Sequence, residues 1–202
     1  MSKKQHITHK TRHRRTIFVL LVAFIISFFV TAHAYVDNSK QSKLLYDKLI
    51  ATDAAGGDVE QALKELRVYI YSHMNTTIGS PTGVKPPIQL KGTYDRLVAA
   101  EQARIKQAND DLYARAQKEC ERLIPEGLSG RGRIGCITDF VSNGTVKEQI
   151  IPEGLYKYDF VSPYWSADTA GIGIVVTTIV GLALLYNVVL YRRLLFHARI
   201  SS

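Results

Sequence analysis

Ala170–Leu190 reads AGIGIVVTTIVGLALLYNVVL. It carries no charged residue, and about 20 apolar residues are what an α-helix needs to cross the hydrocarbon of a bilayer. Tyr191-Arg192-Arg193 follows it, an aromatic residue of the interfacial type and two cations. A second apolar run, TIFVLLVAFIISFFVTAHA over Thr16–Ala34, lies near the start. The expected fold is mainly α. Two transmembrane helices flank an extracytoplasmic helical hairpin or bundle, with a small irregular or β-containing part at its C-terminal end.

Charge orients this frame. The net charge of +8 is unevenly spread. Lys3, Lys4, Lys10, Arg12, Arg14 and Arg15 precede the first run, and Arg192, Arg193 and Arg199 follow the second. No Asp or Glu lies in either flank, so all 18 acidic residues fall between the runs. Cations concentrated beside both spans are the positive-inside pattern. It predicts basic cytoplasmic tails at 1–15 and 192–202, spans at 16–34 and 169–191, and an extracytoplasmic domain at 35–168. The partners expected on this basis are the lipid bilayer, and this chain itself or another membrane protein. A basic tail of this kind reads as a topology determinant that touches anionic lipid, not as a nucleic-acid site.

The first run has two readings. At about 1.5 Å per residue its length is about 28 Å, enough to span. It also has a basic start, an apolar centre and the small-x-small triplet Ala32-His33-Ala34 before Tyr35, the layout of a secretory signal. The long basic region and the helix-compatible DNSKQSKLLYDKLIA that follows favour a retained anchor. The middle segment is exported on either reading.

Within that segment, Ser39–Ala55 reads as a helix, with Leu45, Tyr46, Leu49 and Ile50 on one side. Gly56-Gly57 ends it. Asp58 is an N-cap residue with Gln61 three positions on, as in a capping box. The helix it starts runs to about Met74, with Val59, Leu63, Leu66 and Ile70 on one stripe. Two helices joined by two glycines are expected to fold back as a hairpin. Asn75–Pro87 is a loop by composition. A long helix is expected over Ile88–Leu123, a short one over Cys136–Val141, and a strand or extended return over Leu155–Val161. IPEGL occurs at Ile124–Leu128 and again at Ile151–Leu155, too short an echo to define a repeat.

Few residues offer chemistry. Cys120 and Cys136 both lie in the segment placed outside, where thiols are oxidised, and a structural disulfide between them is expected. It would close a loop of about 15 residues, worth about 3 kcal/mol in the chain-entropy model. Gly173, Thr177 and Gly181 form a small-residue face on the second span, suited to close helix approach, and Asn187 is placed to bond across to a partner helix. The first span, rich in Phe and Leu, shows no comparable face. Tyr164, Trp165 and Tyr191 are expected as interfacial aromatics.

His6, His9 and His13 sit in a cationic tail that would repel a metal ion, and His73 reads as a helix C-terminal cap. Asn75-Thr76-Thr77 and Asn143-Gly144-Thr145 fit the N-glycosylation pattern, which is common by chance. No phosphate-binding glycine loop, nucleophile–base pair or metal-ligand spacing occurs, so no catalytic residue, cofactor or metal is expected and the chain is not read as an enzyme. With two spans and no carboxylate inside either, an ion-driven transporter is not expected.

The layout of short cytoplasmic start, span, extracytoplasmic helices and span resembles the sensor half of bacterial chemoreceptors and sensor kinases. It departs from them after the second span, where Arg192–Ser202 takes the place of a signalling module. LRVYIYSHMNT (Leu66–Thr76), PPIQL (Pro86–Leu90), GCITDFV (Gly135–Val141) and YDFVSPYWSADTAG (Tyr158–Gly171) resemble small two-span membrane proteins of candidate-phylum bacteria of the Saccharibacteria type. That resemblance brings no activity, ligand or cofactor. Two functions are therefore expected in order. The first is an interaction or scaffold module in a homo-oligomer or larger membrane complex. The second is a ligand-sensing ectodomain that signals through a separate partner, with Arg67, Arg96 and Arg104 as candidate ligand contacts.

Overall fold

The computed structural model describes residues 3–79, 85–124 and 130–200. The chain is mainly helical. Its order is α1 (Lys3–Ala55), α2 (Val59–Ser72), β1 (Ile88–Gln89), α3 (Lys91–Leu123), α4 (Gly130–Gly144), a 3-10 turn (Glu153–Leu155), β2 (Lys157–Tyr158) and α5 (Thr169–Ile200). Two compact units result. One holds Met1–Thr52, Asp58–Pro87 and Asp159–Ser202; the other holds Asp53–Gly57 and Ile88–Tyr158.

In the first unit, α1 is one unbroken helix because no Gly or Pro interrupts Lys3–Ala55. It ends at Gly56, whose φ of 68° is a left-handed cap that an L side chain would strain. Asp58 then caps α2, its Oδ1 accepting from the Gln61 amide at 2.9 Å. Lys48 Nζ reaches Glu65 Oε2 at 2.7 Å, and Asn38 Nδ2 donates to the Met74 carbonyl at 3.1 Å, so α2 runs back along α1. Leu49, Leu66 and Ile70 are fully buried in this unit.

Two helices are long and apolar enough to cross a membrane, within Thr11–Ala55 of α1 and Thr169–Phe196 of α5. Their large side chains are exposed, among them Phe18, Ile26 and Phe29 on α1 and Ile179, Leu182 and Leu185 on α5. A surface of that composition is costly in water and at no cost in hydrocarbon.

In the second unit, Leu112, Ala116 and Cys120 form the buried stripe of α3. The Cys120 and Cys136 sulfurs are bonded at 2.03 Å, joining α3 to α4. A β-carbon on Gly144 would come 2.8 Å from Leu112 Cδ1, so the two helices run antiparallel from the disulfide onward. The antiparallel pair β1–β2 sets Ile88 opposite Tyr158 and Gln89 opposite Lys157.

Three element boundaries differ from the sequence expectation. Ile88-Gln89 is a strand rather than the first turn of α3. The expected six-residue helix at Cys136–Val141 is α4, fifteen residues long. Of the extended stretch Leu155–Val161, only Lys157-Tyr158 pairs as a strand.

Candidate functional site

The densest polar arrangement of the first unit lies where α1, the end of α2 and the start of α5 meet, beside the apolar helices. Asp168 is its centre. As the N-cap of α5 it accepts the Gly171 amide at Oδ1 (2.9 Å), where the Ser166 hydroxyl also donates (2.7 Å). Its Oδ2 accepts from Asn38 Nδ2 at 2.7 Å. Asn38 shares that amide with the Met74 carbonyl, and the Met74 amide donates to Ser166 Oγ at 2.9 Å. The ring Asp168–Asn38–Met74–Ser166 thus ties three helices together. Asn38 and Ser166 are buried. A β-carbon on Gly171 would lie 1.8 Å from the Ser166 carbonyl oxygen, so only glycine fits under this turn.

Burial works to raise the Asp168 pKa. The Gly171 amide, the Ser166 hydroxyl, the Asn38 amide and the charge of His73 outweigh it and hold the carboxyl below its ordinary range. Tyr69 is shifted up, first by burial and then by the charges of Asp168 and Asp37. His73 stacks on Tyr69 with ring centroids 4.2 Å apart. Its Nδ1 lies 3.0 Å from the Tyr69 carbonyl oxygen and 2.8 Å from the Ser72 hydroxyl. His33 Nδ1 lies 2.7 Å from Asp37 Oδ2 one turn along α1.

This junction borders a cavity of about 580 Å³ whose polar walls are His33, Asp37, Asn38, His73, Asp168 and Thr169. The Asp168 carboxylate, with three donors on it, holds the junction together. No group of three or more His, Cys, Asp or Glu side chains suited to a metal ion occurs among the described residues.

The small-residue face of α5 packs on α1. A β-carbon on Gly173 would meet Thr31 Oγ1 at 2.5 Å, Thr177 Oγ1 lies 3.2 Å from that same hydroxyl, and Gly181 sits on Phe24. The first apolar run therefore does offer a matching polar position at Thr31, one turn from Ser27, whose carbonyl accepts the Thr31 hydroxyl at 2.7 Å. Asn187 Nδ2 donates to the Ala183 carbonyl of its own helix at 2.9 Å. Tyr164 is fully exposed, and Trp165 is half-exposed with Nε1 donating to the Gly171 carbonyl at 3.3 Å. Tyr191 is partly exposed on α5.

The three arginines fall in different units, Arg67 in the first and Arg96 and Arg104 in the second. Arg96 binds Asp53, Arg104 binds Glu101, and Arg67 is exposed on α2. His6 and His9 lie on the part of α1 whose side chains are outside the described set. The IPEGL echo likewise falls partly outside the described residues.

In the second unit Asp53 plays the part that Asp168 plays in the first. Its Oδ2 accepts the Gly92 amide at 2.8 Å, and its Oδ1 accepts the Thr93 amide, the Thr93 hydroxyl and Arg96 Nη2 at 2.7, 2.6 and 2.9 Å. Leu90, at the N-cap of α3, has no side-chain cap of its own. Asp53 therefore caps α3 from about 40 positions upstream, a relation no local pattern signals. Asp168 was findable: an Asp immediately before an apolar helical run is an N-cap signal. Asn38 and Ser166 carried none.

No family model, curated protein or solved structure matches the chain.

Proposed function

We propose that the chain is an integral membrane protein with both tails in the cytoplasm, residues 35–168 outside, and an exported helical part that serves as an interaction or scaffold module. The nine cations flanking the apolar runs, without one acidic residue among them, support the orientation. The polar junction supports it too. Asp37 and Asn38, within α1, and Asp168, at the start of α5, adjoin the ends of the two apolar stretches away from those cations, so each apolar stretch has a basic end and an acidic end.

The observation that carries the interaction reading is a set of exposed apolar side chains on the exported side of the first unit. Tyr71 packs edge-on against Phe160 at 5.9 Å and is 56% exposed, while Val161 and Tyr164 on the following segment are 66% and fully exposed. Aromatic residues standing clear of a core are typical of surfaces that meet a partner or the bilayer interface. The partner is a second copy or another membrane protein.

The test is gentle extraction of the native protein and measurement of its mass and composition, with Tyr71→Ser/Tyr164→Ser alongside. A stoichiometric partner that the variant fails to retain is expected. A lone monomer for both proteins would overturn the reading. A second function, ligand sensing relayed to a partner, draws support from α1, which runs without a break from the apolar stretch to Ala55. It predicts a metabolite-induced melting shift of the ectodomain.

A further inference from the structure

Two cavities in the first unit share walls. The junction cavity, of about 580 Å³, has Phe29, Val30 and Ala34 on its apolar side. A second, of about 790 Å³, lies between α1 and α5 and is walled by Ala23, Ile26, Ser27, Ile172, Gly173 and Val176. Val30, Asp168 and Thr169 border both. The combined furrow is apolar along the two apolar stretches and polar where that of α1 gives way to Asp37-Asn38 and α5 begins. That profile matches a lipid, with acyl chains along the helices and the headgroup at the junction.

The charge of the polar end selects the headgroup. Its walls include Asp37 and Asp168 but no Lys or Arg. Asp37 is half-exposed, with one oxygen on His33 and the other 4.0 Å from Lys40, too far for a hydrogen bond. That oxygen has the Lys40 ammonium at ion-pair distance but accepts no hydrogen bond from it, and being half-exposed it has room to accept one from a second ammonium group. An anionic headgroup would meet two carboxylates, and a quaternary amine has no N–H to donate.

We infer that this furrow is a lipid site selective for a headgroup ending in a primary amine, with Asp37 as the acceptor. The inference rests on the membrane reading above. The small residue Ala23 makes room for the chains, which Ile26, Ile172 and Val176 line, and Thr169 supplies a hydroxyl beside the glycerol–phosphate level. The basic tails at the other ends of the helices recruit anionic lipid there, so the two membrane faces would select different lipids.

The experiment uses the full chain in nanodiscs of phosphatidylcholine doped with phosphatidylethanolamine or with phosphatidylglycerol. Lipids that stay bound are counted by native mass spectrometry, for wild type, Asp37→Asn and Asp37→Glu. Wild type is expected to retain the ethanolamine lipid about three- to fivefold over either competitor, as for a partly exposed charged contact. Asp37→Asn should abolish that preference and Asp37→Glu should keep much of it. Equal retention of all three lipids by protein that resists alkaline extraction would overturn the lipid site while leaving the membrane reading intact. Protein released by alkaline extraction would overturn both.

Discussion

Gly173 sits directly against Thr31: a β-carbon on the glycine would lie 2.5 Å from the threonine hydroxyl oxygen. One turn on, Thr177 places its own hydroxyl 3.2 Å from that oxygen. The two apolar helices thus meet through small and hydroxylated side chains, the type of contact that holds helices together where lipid tails are as apolar as leucine. Gly173→Val puts branched bulk into this contact and should weaken helix pairing by about 1–3 kcal/mol. Cross-linking between Thr31→Cys and Thr177→Cys reports it. Efficient disulfide formation is expected in the parent background and a marked loss with Gly173→Val.

Asp53 should be the most destabilising single position in the second unit. Its side chain is 4% exposed and caps two amides of α3 while holding Arg96. Asp53→Ala leaves those donors without an acceptor and should cost about 2–3 kcal/mol, read by chemical denaturation. Asp53 also makes the unit acid-sensitive. Burial works to raise its pKa, but the Thr93 hydroxyl, the Gly92 and Thr93 amides and Arg96 carry it below its ordinary value. Its stabilisation is therefore complete above the unfolded value of about 3.9 and lost as pH falls through the lower folded value. Wild type should lose stability on acidification below about pH 4, and Asp53→Asn should show a flatter profile.

Glu101 makes a separate acid-sensitive clasp. It binds Arg104 through both carboxylate oxygens and accepts the Gln149 amide at 2.7 Å, while Arg104 donates to the Lys147 carbonyl at 3.2 Å. The Arg104 hydrogen bonds and then the Gln149 amide bring its pKa down to about 2 from 4.5. The Lys147–Gln149 segment should stay docked above pH 4.5 and loosen as pH falls towards 2. Hydrogen exchange of the Gln149 amide, corrected for its intrinsic rate, should show protection that Glu101→Gln reduces at neutral pH.

The Cys120–Cys136 bond should account for about 3 kcal/mol of the stability of α3 and α4. Unreduced protein is expected to resist alkylation at both thiols and to migrate differently from the reduced form on a gel. Cys120→Ala/Cys136→Ala should melt earlier while keeping its helix content.

What the sequence revealed follows the range of the interactions. Asp58 announced α2 because its cap on the Gln61 amide is complete within four residues. The spacing of Leu112, Ala116 and Cys120 marked the buried face of α3, since a helix stripe is also local. The start of α3 was misplaced by three residues because it is fixed by Asp53, far upstream, and because Ile88-Gln89 finds its partner in Lys157-Tyr158 about 70 positions on. The polar junction was illegible for the same reason. Asn38 and Ser166 look like ordinary surface residues until α2 and the start of α5 are brought beside α1. Asn187 shows how local a polar contact can be: in an apolar helix, its Nδ2 donates to a carbonyl one turn back.

Single-cysteine labelling with an impermeant maleimide reads the proposed orientation of the chain in the membrane, using Tyr164→Cys before the second apolar stretch and Phe196→Cys beyond it. Both positions are exposed, and the native cysteines are bonded to each other. Tyr164→Cys should label in intact cells, and Phe196→Cys only after the membrane is permeabilised. Labelling of both in intact cells, or of Tyr164→Cys only after permeabilisation, would contradict the account.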